Sequence, residues 1–436
     1  MLVNWSKALT FIFILFLLSS CKGNKNESSK DVSKKDNSTQ SDKEIKQVTK
    51  ESDHYIYYLP QDSIVNGILV IMDPHGKPSL IMDSLHSIAN KKHLALIGLQ
   101  DIKNGNANYN NIINRDLQHF IEFKKLKNNK IFLVGFSGAA RMALNYSERN
   151  RIDGLIICGA GLQRQTQLPF PVVLMSGLSD FNFMEQYYTP SNTRTFERNI
   201  IAIHFRGKHQ WPQVKVMNDA IEFVLKRNTG NGNTQSDYYA QLSKKYYSEK
   251  EYFLSFKSLE VAYKISSNEN IEKMRKELVS LSKDSKVKVY FQRQNMYISE
   301  EQKRYQMLTQ SLEIQDLVWW DNQINYMESK TINNRNSLES ESYSRTLAYM
   351  GILMYSRLSA VSAGRGRFDL YPKYLSIYEK LEPENPDLFF FKGIYAYTQG
   401  NQYQATQYLK KSLELGFTDT ELMSKYFSQD FLSQII

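Results

Sequence analysis

The stretch KIFLVGFSGAARMAL, residues 130–144, changes abruptly from a strand pattern to a helix pattern. Its first half is almost wholly apolar, and its second half favours a helix. The junction holds one serine among four very small residues: Gly135, Ser137, Gly138, Ala139 and Ala140. A serine that only caps a helix needs one small neighbour to make the turn. So little side-chain bulk around one hydroxyl group indicates a tighter constraint at this turn.

Further apolar runs of strand length occur in the first half of the chain, and amphipathic helical stretches separate several of them. These runs are residues 67–73, 94–99, 154–160, 171–177 and 199–205. Continuously apolar strands that alternate with helices predict a parallel sheet covered on both faces. We therefore predict an α/β fold with a doubly wound, mostly parallel sheet over residues 54–228.

The segment GFSGA, residues 135–139, resembles the nucleophile elbow of the α/β-hydrolase family, usually written Gly-x-Ser-x-Gly. In that family the turn strains the serine, so that its hydroxyl group projects above the sheet. Ala139 replaces the last glycine, and a single methyl group is a small departure. The alternative interpretation of the segment is a serine-capped helix after a buried strand.

The resemblance implies a catalytic triad in the chain order serine, acid, histidine. Ser137 is then the nucleophile, Asp180 the acid that orients the histidine, and His209 the base. Asp180 follows the apolar run 171–177, and His209 lies just past the final run in a Gly-x-His-x-Trp segment. His204, inside that final run, is a second candidate for the histidine.

The segment DPHGKP, residues 73–78, resembles the oxyanion loop of the same family. The resemblance implies that the backbone amide of Gly138 and one amide of this loop, from Lys77 or Gly76, stabilise the oxyanion. A simple Pro-Gly turn is the alternative. The segment 101–111, DIKNGNANYNN, follows a strand at its carboxyl end, where ligands enter such sheets, and it is equally an ordinary turn.

The N-terminus has the pattern of an export signal, with Lys7 before the apolar run 8–18. The following LSSC resembles the bacterial lipobox, which implies a signal peptide over residues 1–20 and a lipidated Cys21. Residues 21–53 are rich in Lys, Ser and Asn, which predicts a disordered tether. We therefore expect a bacterial envelope protein anchored by lipid to a membrane, on the periplasmic or the outer-membrane side. An uncleaved membrane anchor is the alternative.

After a linker predicted at residues 229–237, the periodicity is helical from residue 238 to residue 436. The segment 389–416 resembles a tetratricopeptide repeat, with Gly393 and Ala405 twelve positions apart and a break at Gly400. An unrelated helical array is the alternative. This helical half either binds a peptide or protein partner or covers the hydrolase pocket. The composition of the linker favours loosely coupled domains and hence the first role.

The charge and the cysteine content of the chain bear on its binding partners and its core. The net charge of +10 is spread along the chain, which argues against nucleic-acid binding. After Cys21, Cys158 is the one remaining cysteine, and it lies in an apolar run typical of a core. We expect no metal and no cofactor. The resemblance implies a serine hydrolase, foremost an esterase that cleaves a small-molecule ester or acyl substrate through an acyl-enzyme. A peptidase of the same fold and a catalytically silent binding scaffold are the alternatives.

Overall fold

The computed structural model of the chain describes residues 53–62, 64–162, 168–187, 199–226, 233–332 and 337–435. The predicted signal peptide, the lipidation site Cys21 and nearly all of the predicted tether therefore lie outside the described residues. Within the described ranges, no helix combines the length and the apolar character that crossing a bilayer requires.

A seven-stranded sheet forms the centre of the first half. Its strands are β1 (Tyr55–Tyr58), β2 (Gly67–Met72), β3 (Leu94–Leu99), β4 (Lys130–Phe136), β5 (Gly154–Cys158), β6 (Val172–Gly177) and β7 (Ile200–Phe205). The spatial order is β1-β3-β2-β4-β5-β6-β7, in which β1 is antiparallel to β3 and every other pair is parallel. Strands β2 to β7 lie within two residues of the predicted apolar runs. The predicted fold class, a doubly wound and mostly parallel sheet followed by helices, is confirmed.

Helices cover both faces of this sheet. They are α1 (Ser79–Met82), α2 (His86–Lys92), α3 (Tyr109–Phe123), α4 (Ser137–Ser147), α5 (Phe183–Tyr187) and α6 (Val214–Lys226). Side chains alternate along a strand, so Ile68 and Val70 of β2 pack with α3 and α4, whereas Leu69 and Ile71 pack with α1, α2 and α6. Because the six parallel strands share one direction, the loops that follow β2, β4, β6 and β7 meet at a single edge.

The second half of the described chain is helical. Its helices are α7 (Asn233–Ser248), α8 (Tyr252–Ile265), α9 (Ile271–Lys283), α10 (Ser285–Ser311), α11 (Leu317–Ile332), α12 (Leu338–Ser362), α13 (Tyr371–Leu381), α14 (Pro386–Thr398), α15 (Gln402–Glu414), α16 (Thr420–Ser424) and α17 (Gln429–Leu432). Helix α7 packs along α8, and α14 packs along α15. In the second pair, a Cβ atom at Gly393 would lie 2.9 Å from Leu409 Cδ2, so a larger residue there would displace the Leu409 side chain. The assignment to the tetratricopeptide type stays a prediction.

A hydrophobic cluster is shared between the two halves. Met217 of α6 and Ile203 of β7 belong to the same cluster of buried side chains as Leu259 of α8 and Met274 of α9. Helix α8 lies along β7 and covers this edge strand of the sheet. Extensive packing of this kind differs from the loose coupling that the linker composition favoured.

The predicted linker is itself partly helical, because α7 begins at Asn233. Ser236 within it is fully buried, and its hydroxyl group donates to the carbonyl of Ala262 at 2.9 Å. Polar residues there satisfy a helix–helix contact, which composition alone does not distinguish from a solvated linker.

Candidate active site

Ser137 occupies the sharp turn between β4 and α4. Its φ is +52°, in the left-handed region that a residue with a Cβ atom rarely adopts. A Cβ atom at Gly135 would lie 2.5 Å from Ala140 Cα, and Ala139 and Ala140 are themselves fully buried. The small residues of this segment therefore let helix and strand approach closely enough to hold the serine in its strained conformation.

The structure brings Ser137, His209 and Asp180 into one hydrogen-bonded chain. Ser137 Oγ lies 2.9 Å from His209 Nε2, and His209 Nδ1 lies 2.8 Å from Asp180 Oδ1. All three side chains are buried. When Nδ1 carries the proton and donates it to the carboxylate, Nε2 accepts from the serine hydroxyl group. This is the order of contacts that a nucleophile, a base and an orienting acid require.

The imidazole of His209 is held between aromatic rings. Its centroid lies 4.8 Å from that of Phe136 and 4.2 Å from that of Phe181. Gly159, with φ +63°, lies beneath the ring, where a Cβ atom would come within 2.9 Å of His209 Cε1. The surroundings thus restrict the ring to the plane in which it meets both partners. Phe181, the residue after Asp180, therefore contacts the predicted base directly.

The loop that carries Asp180 is fixed by hydrogen bonds of its own. Asp180 Oδ1 also accepts from the backbone amide of Asn182 at 2.8 Å, and the Asn182 side chain donates to the carbonyl of Gly159 at 2.7 Å. Asp180 Oδ2 is buried and has no hydrogen-bond partner among the described residues. The acid therefore engages the imidazole through one oxygen, whose position the backbone determines.

His204, the second candidate for the histidine, lies elsewhere. Its Nδ1 is 2.9 Å from the hydroxyl oxygen of Ser176, and its ring packs against Phe183 and Phe253. Burial lowers the pKa of His204 to about 3, with nearby Lys257 acting in the same direction. His204 is thus a neutral core residue that does not contact Ser137.

The loop after β2 shows which of its amides is available. The amide of Gly76 donates to the carbonyl of Asp73 at 3.1 Å within the turn, whereas the amide of Lys77 has no acceptor among the described residues. The buried Asp73 carboxylate accepts from the amide of His75 and from Trp211 Nε1, which joins this loop to the loop of the predicted base. Of the two predicted loop donors, the geometry favours Lys77.

Asn104 is a site residue that the sequence did not single out. A Cβ atom at Gly138 would lie 1.8 Å from Asn104 Oδ1, so the asparagine side chain lies directly against the predicted oxyanion donor. The segment 101–111 reaches this position because the amide of Asn104 donates to the carbonyl of Pro74 and Lys103 pairs with His75. The available signal was its place after the carboxyl end of β3, and an Asn-Gly turn gives the same pattern.

Two further contacts hold the helices around the site. Arg141 of α4 forms a bidentate ion pair with Glu185 of α5, at 2.9 and 3.0 Å. Glu185 Oε2 also accepts from the amide of Gly161 at 2.8 Å. This pair joins the helix that follows the serine to the helix that follows the acid. No sequence pattern indicates this pair, because its members are 44 positions apart.

Two hydrogen bonds are among the contacts between the helical half and this edge of the sheet. Lys77 Nζ donates to the carbonyl of Gly416 at 2.6 Å, and Arg345 Nη1 of α12 donates to the carbonyl of Leu178 at 2.5 Å. Lys77 belongs to the loop after β2, and Leu178 lies two residues before Asp180. The helices therefore contact both loops that surround the serine.

Phe183, Trp320 and Cys158 belong to hydrophobic cores. Phe183 and Trp320 are fully buried, and Trp320 belongs to the core of the helical half. Tyr326, also in the helical half, is half exposed. Cys158 is buried, and burial raises the pKa of its thiol, as expected for a core residue.

Comparison with known proteins gives similarity in structure alone. No protein-family model and no curated protein matches the sequence. Among solved structures, an α/β hydrolase from a Mar Chica lagoon sediment metagenome aligns at 12% identity and a TM-score of 0.32, over 42% of this chain and 99% of its own. Esterase PE8 aligns at 14% identity and a TM-score of 0.32, over 38% of this chain and 97% of its own. XC6422 from Xanthomonas campestris, an α/β serine hydrolase without a lid, aligns at 14% identity and a TM-score of 0.30, over 40% and 88%.

Proposed function

We propose that this protein is a serine hydrolase that cleaves carboxylic esters through an acyl-enzyme intermediate. The observation that carries the proposal is the strained Ser137, whose hydroxyl oxygen lies 2.9 Å from a histidine that is itself bound to a buried aspartate. A left-handed serine is costly to hold, and such strain is concentrated at functional sites. A serine that served only as a helix cap would need neither the strain nor the imidazole.

The geometry suggests a role for each residue. Ser137 Oγ attacks the ester carbonyl carbon while His209 Nε2 takes its proton. Asp180 stabilises the imidazolium, and the amides of Gly138 and Lys77 donate to the developing oxyanion. The imidazolium then protonates the leaving alcohol, which departs and leaves the acyl group on Ser137. Water, activated by the same histidine, hydrolyses this ester and restores the enzyme.

A fluorophosphonate probe tests the proposal, because it labels only an activated serine. We expect the wild-type protein to be labelled and Ser137→Ala to remain unlabelled. Ser176→Ala is the matched control, since Ser176 is also a buried serine beside a histidine and should leave labelling intact. Labelling that persists in Ser137→Ala would show that the nucleophile is another residue. An unlabelled wild-type protein would favour the silent binding scaffold.

A second measurement is needed to identify the type of bond that the protein cleaves. Hydrolysis of a p-nitrophenyl ester and of a matched p-nitroanilide amide distinguishes an esterase from a peptidase of the same fold. We expect turnover of the ester, because an alcohol is the easier leaving group. Selective cleavage of the amide would overturn the proposed ester specificity while leaving the serine hydrolase in place.

We also propose that the enzyme is exported and anchored to a bacterial envelope membrane through a lipidated Cys21. The support is the sequence alone: a short apolar run, the LSSC segment and a polar stretch that can act as a tether. Fractionation of the Cys21→Ser variant tests it, as described below.

A further inference from the structure

A buried ion pair lies inside the helical half. Arg345 of α12 and Glu301 of α10 are 3% and 0% exposed, and Arg345 Nη2 lies 2.7 Å from Glu301 Oε2. The carboxylate also accepts from the hydroxyl groups of Tyr305 and Ser342, at 2.7 and 2.9 Å. A buried pair is tolerated when its polar atoms are satisfied, but well-packed apolar residues often stabilise a core as well. Stability alone therefore gives little reason for an arginine at this position.

The guanidinium also makes a contact outside the helical half. Its Nη1 donates to the carbonyl of Leu178, and its plane lies over the ring of Phe183 at 4.8 Å. Leu178 and Phe183 lie on either side of Asp180 in the chain. Arg345 thus contacts both ends of the short segment that carries the acid. Its ion pair with Glu301 holds the guanidinium in this position. Only arginine has a planar fork that can bond a carboxylate and a carbonyl in different directions.

We propose that Arg345 is a positioning residue for Asp180, and that the helical half is consequently a working part of the active site. This inference rests on the proposed function. Asp180 Oδ1 lies 2.8 Å from His209 Nδ1, and the carbonyl that Arg345 holds is two residues away from that acid. If the bond to Leu178 is lost, the segment gains freedom and the carboxylate moves relative to the imidazole. Misplacement of a catalytic group by about 1 Å costs on the order of 10²-fold in rate.

The variant should remove the contact without leaving a buried charge unpaired. Arg345→Met combined with Glu301→Gln removes both charges. The glutamine oxygen retains an acceptor for one of the hydroxyl groups of Tyr305 and Ser342, and the other hydroxyl group can accept from the glutamine NH₂ group. The matched control is Lys92→Met with Glu222→Gln, which removes a 2.7 Å ion pair between α2 and α6 away from the acid loop. We expect kcat for the ester to fall by about 10- to 100-fold with little change in KM. The control pair should leave both constants nearly unchanged.

Repeating the double substitution in an Asp180→Asn protein distinguishes positioning of the acid from general damage to the fold. If Arg345 acts through Asp180, the double substitution should cost little further labelling rate in an Asp180→Asn protein, because the acid it positions is already disabled. A loss of the same factor in both backgrounds would overturn the proposal and assign Arg345 a purely structural role. If circular dichroism shows that the double variant does not fold, Arg345→Lys replaces it. Lysine keeps the charge beside Glu301 but lacks the fork, so the same loss of kcat is expected.

Proton NMR spectroscopy provides a test that does not depend on turnover. The proton shared between His209 Nδ1 and Asp180 should give a far-downfield proton resonance, assigned by its disappearance in His209→Gln. We expect this resonance to vanish or broaden in the Arg345 variant and to persist in the Lys92 control. An unchanged resonance would overturn the positioning role. An unlabelled wild-type protein would instead refute the proposed function, and the resonance would still report whether Arg345 holds the acid.

Discussion

Replacing Asp180 by asparagine isolates the contribution of one negative charge. Asp180 Oδ1 accepts from two donors, His209 Nδ1 and the amide of Asn182, while Oδ2 has no partner among the described residues. The amide oxygen of an asparagine will therefore take the place of Oδ1, and its NH₂ group the place of Oδ2. The hydrogen bond to the imidazole survives in this orientation, and so does the tautomer of His209. What disappears is the charge that stabilises the imidazolium.

The size of the effect follows from the geometry. Opposite unit charges about 4 Å apart interact by about 4 kcal/mol at an effective dielectric constant of about 20. At about 1.4 kcal/mol for each factor of ten, the loss corresponds to a kcat about 10³-fold lower. The buried NH₂ group finds no acceptor, so the free energy of unfolding should fall by about 1–3 kcal/mol as well.

The measurements are the turnover of a p-nitrophenyl ester and a urea unfolding curve for each protein. Asp116→Asn is the matched control, because Asp116 is an equally buried carboxylate on α3 and pairs with Arg115 away from the site. Its kcat should stay near that of the wild type. A loss of less than about 10-fold in a folded Asp180→Asn protein would refute the charge argument and the assignment of Asp180 as the acid.

Four further changes probe other parts of the molecule. Gly159→Ala forces a side chain into a left-handed position and against the His209 ring, so we expect an unfolding free energy about 1–2 kcal/mol lower and a lower kcat; an unchanged kcat would contradict the restraint on the ring. Burial raises the pKa of Glu341 to about 7, against 4.5 for an exposed glutamate, so the free energy of unfolding of the wild type should fall as pH rises from 4.5 to 7. In urea unfolding, Glu341→Gln should therefore be more stable than the wild type by about 3 kcal/mol at pH 8, but not at pH 4. A chain ending at residue 228 uncovers the core shared with α7 to α9 and should aggregate, whereas a soluble, folded monomer in gel filtration would contradict the shared core. Cys21→Ser should move the protein from the membrane to the soluble fraction at an unchanged hydrolase rate, and retention in the membrane would indicate an uncleaved anchor.

The sheet was predictable because its strands are buried on both faces. Strands such as β3 and β5 read as continuous apolar runs, and their bounds follow from the sequence to within two residues. Strand β1, YIYY, was not predicted, because a four-residue edge strand of three tyrosines and one isoleucine carries no distinctive pattern. The cluster shared between the two halves could not be predicted either, since packing between α8 and β7 depends on which apolar faces meet in space.

In the candidate site, too, some residues could be predicted from the sequence and others could not. Ser137, Asp180 and His209 follow strands and lie in short motifs, so their meeting could be predicted from strand order and chain position. Asn104 and Arg345 belong to no motif, and each reaches the site through contacts between distant segments. The choice between Lys77 and Gly76 needed the hydrogen bond inside the turn, which depends on backbone angles.

The bond between Lys77 and Gly416 joins positions 339 residues apart. His209, the last member of the triad, precedes Gly416 by about two hundred residues, which a ribosome needs on the order of 10–40 s to add. Throughout that interval the growing chain holds Ser137, Asp180 and His209 but lacks the segment whose carbonyl accepts from Lys77. On the proposed function, a chain that ends before Gly416 therefore carries all three candidate catalytic residues while the loop after β2 is not yet bound to Gly416.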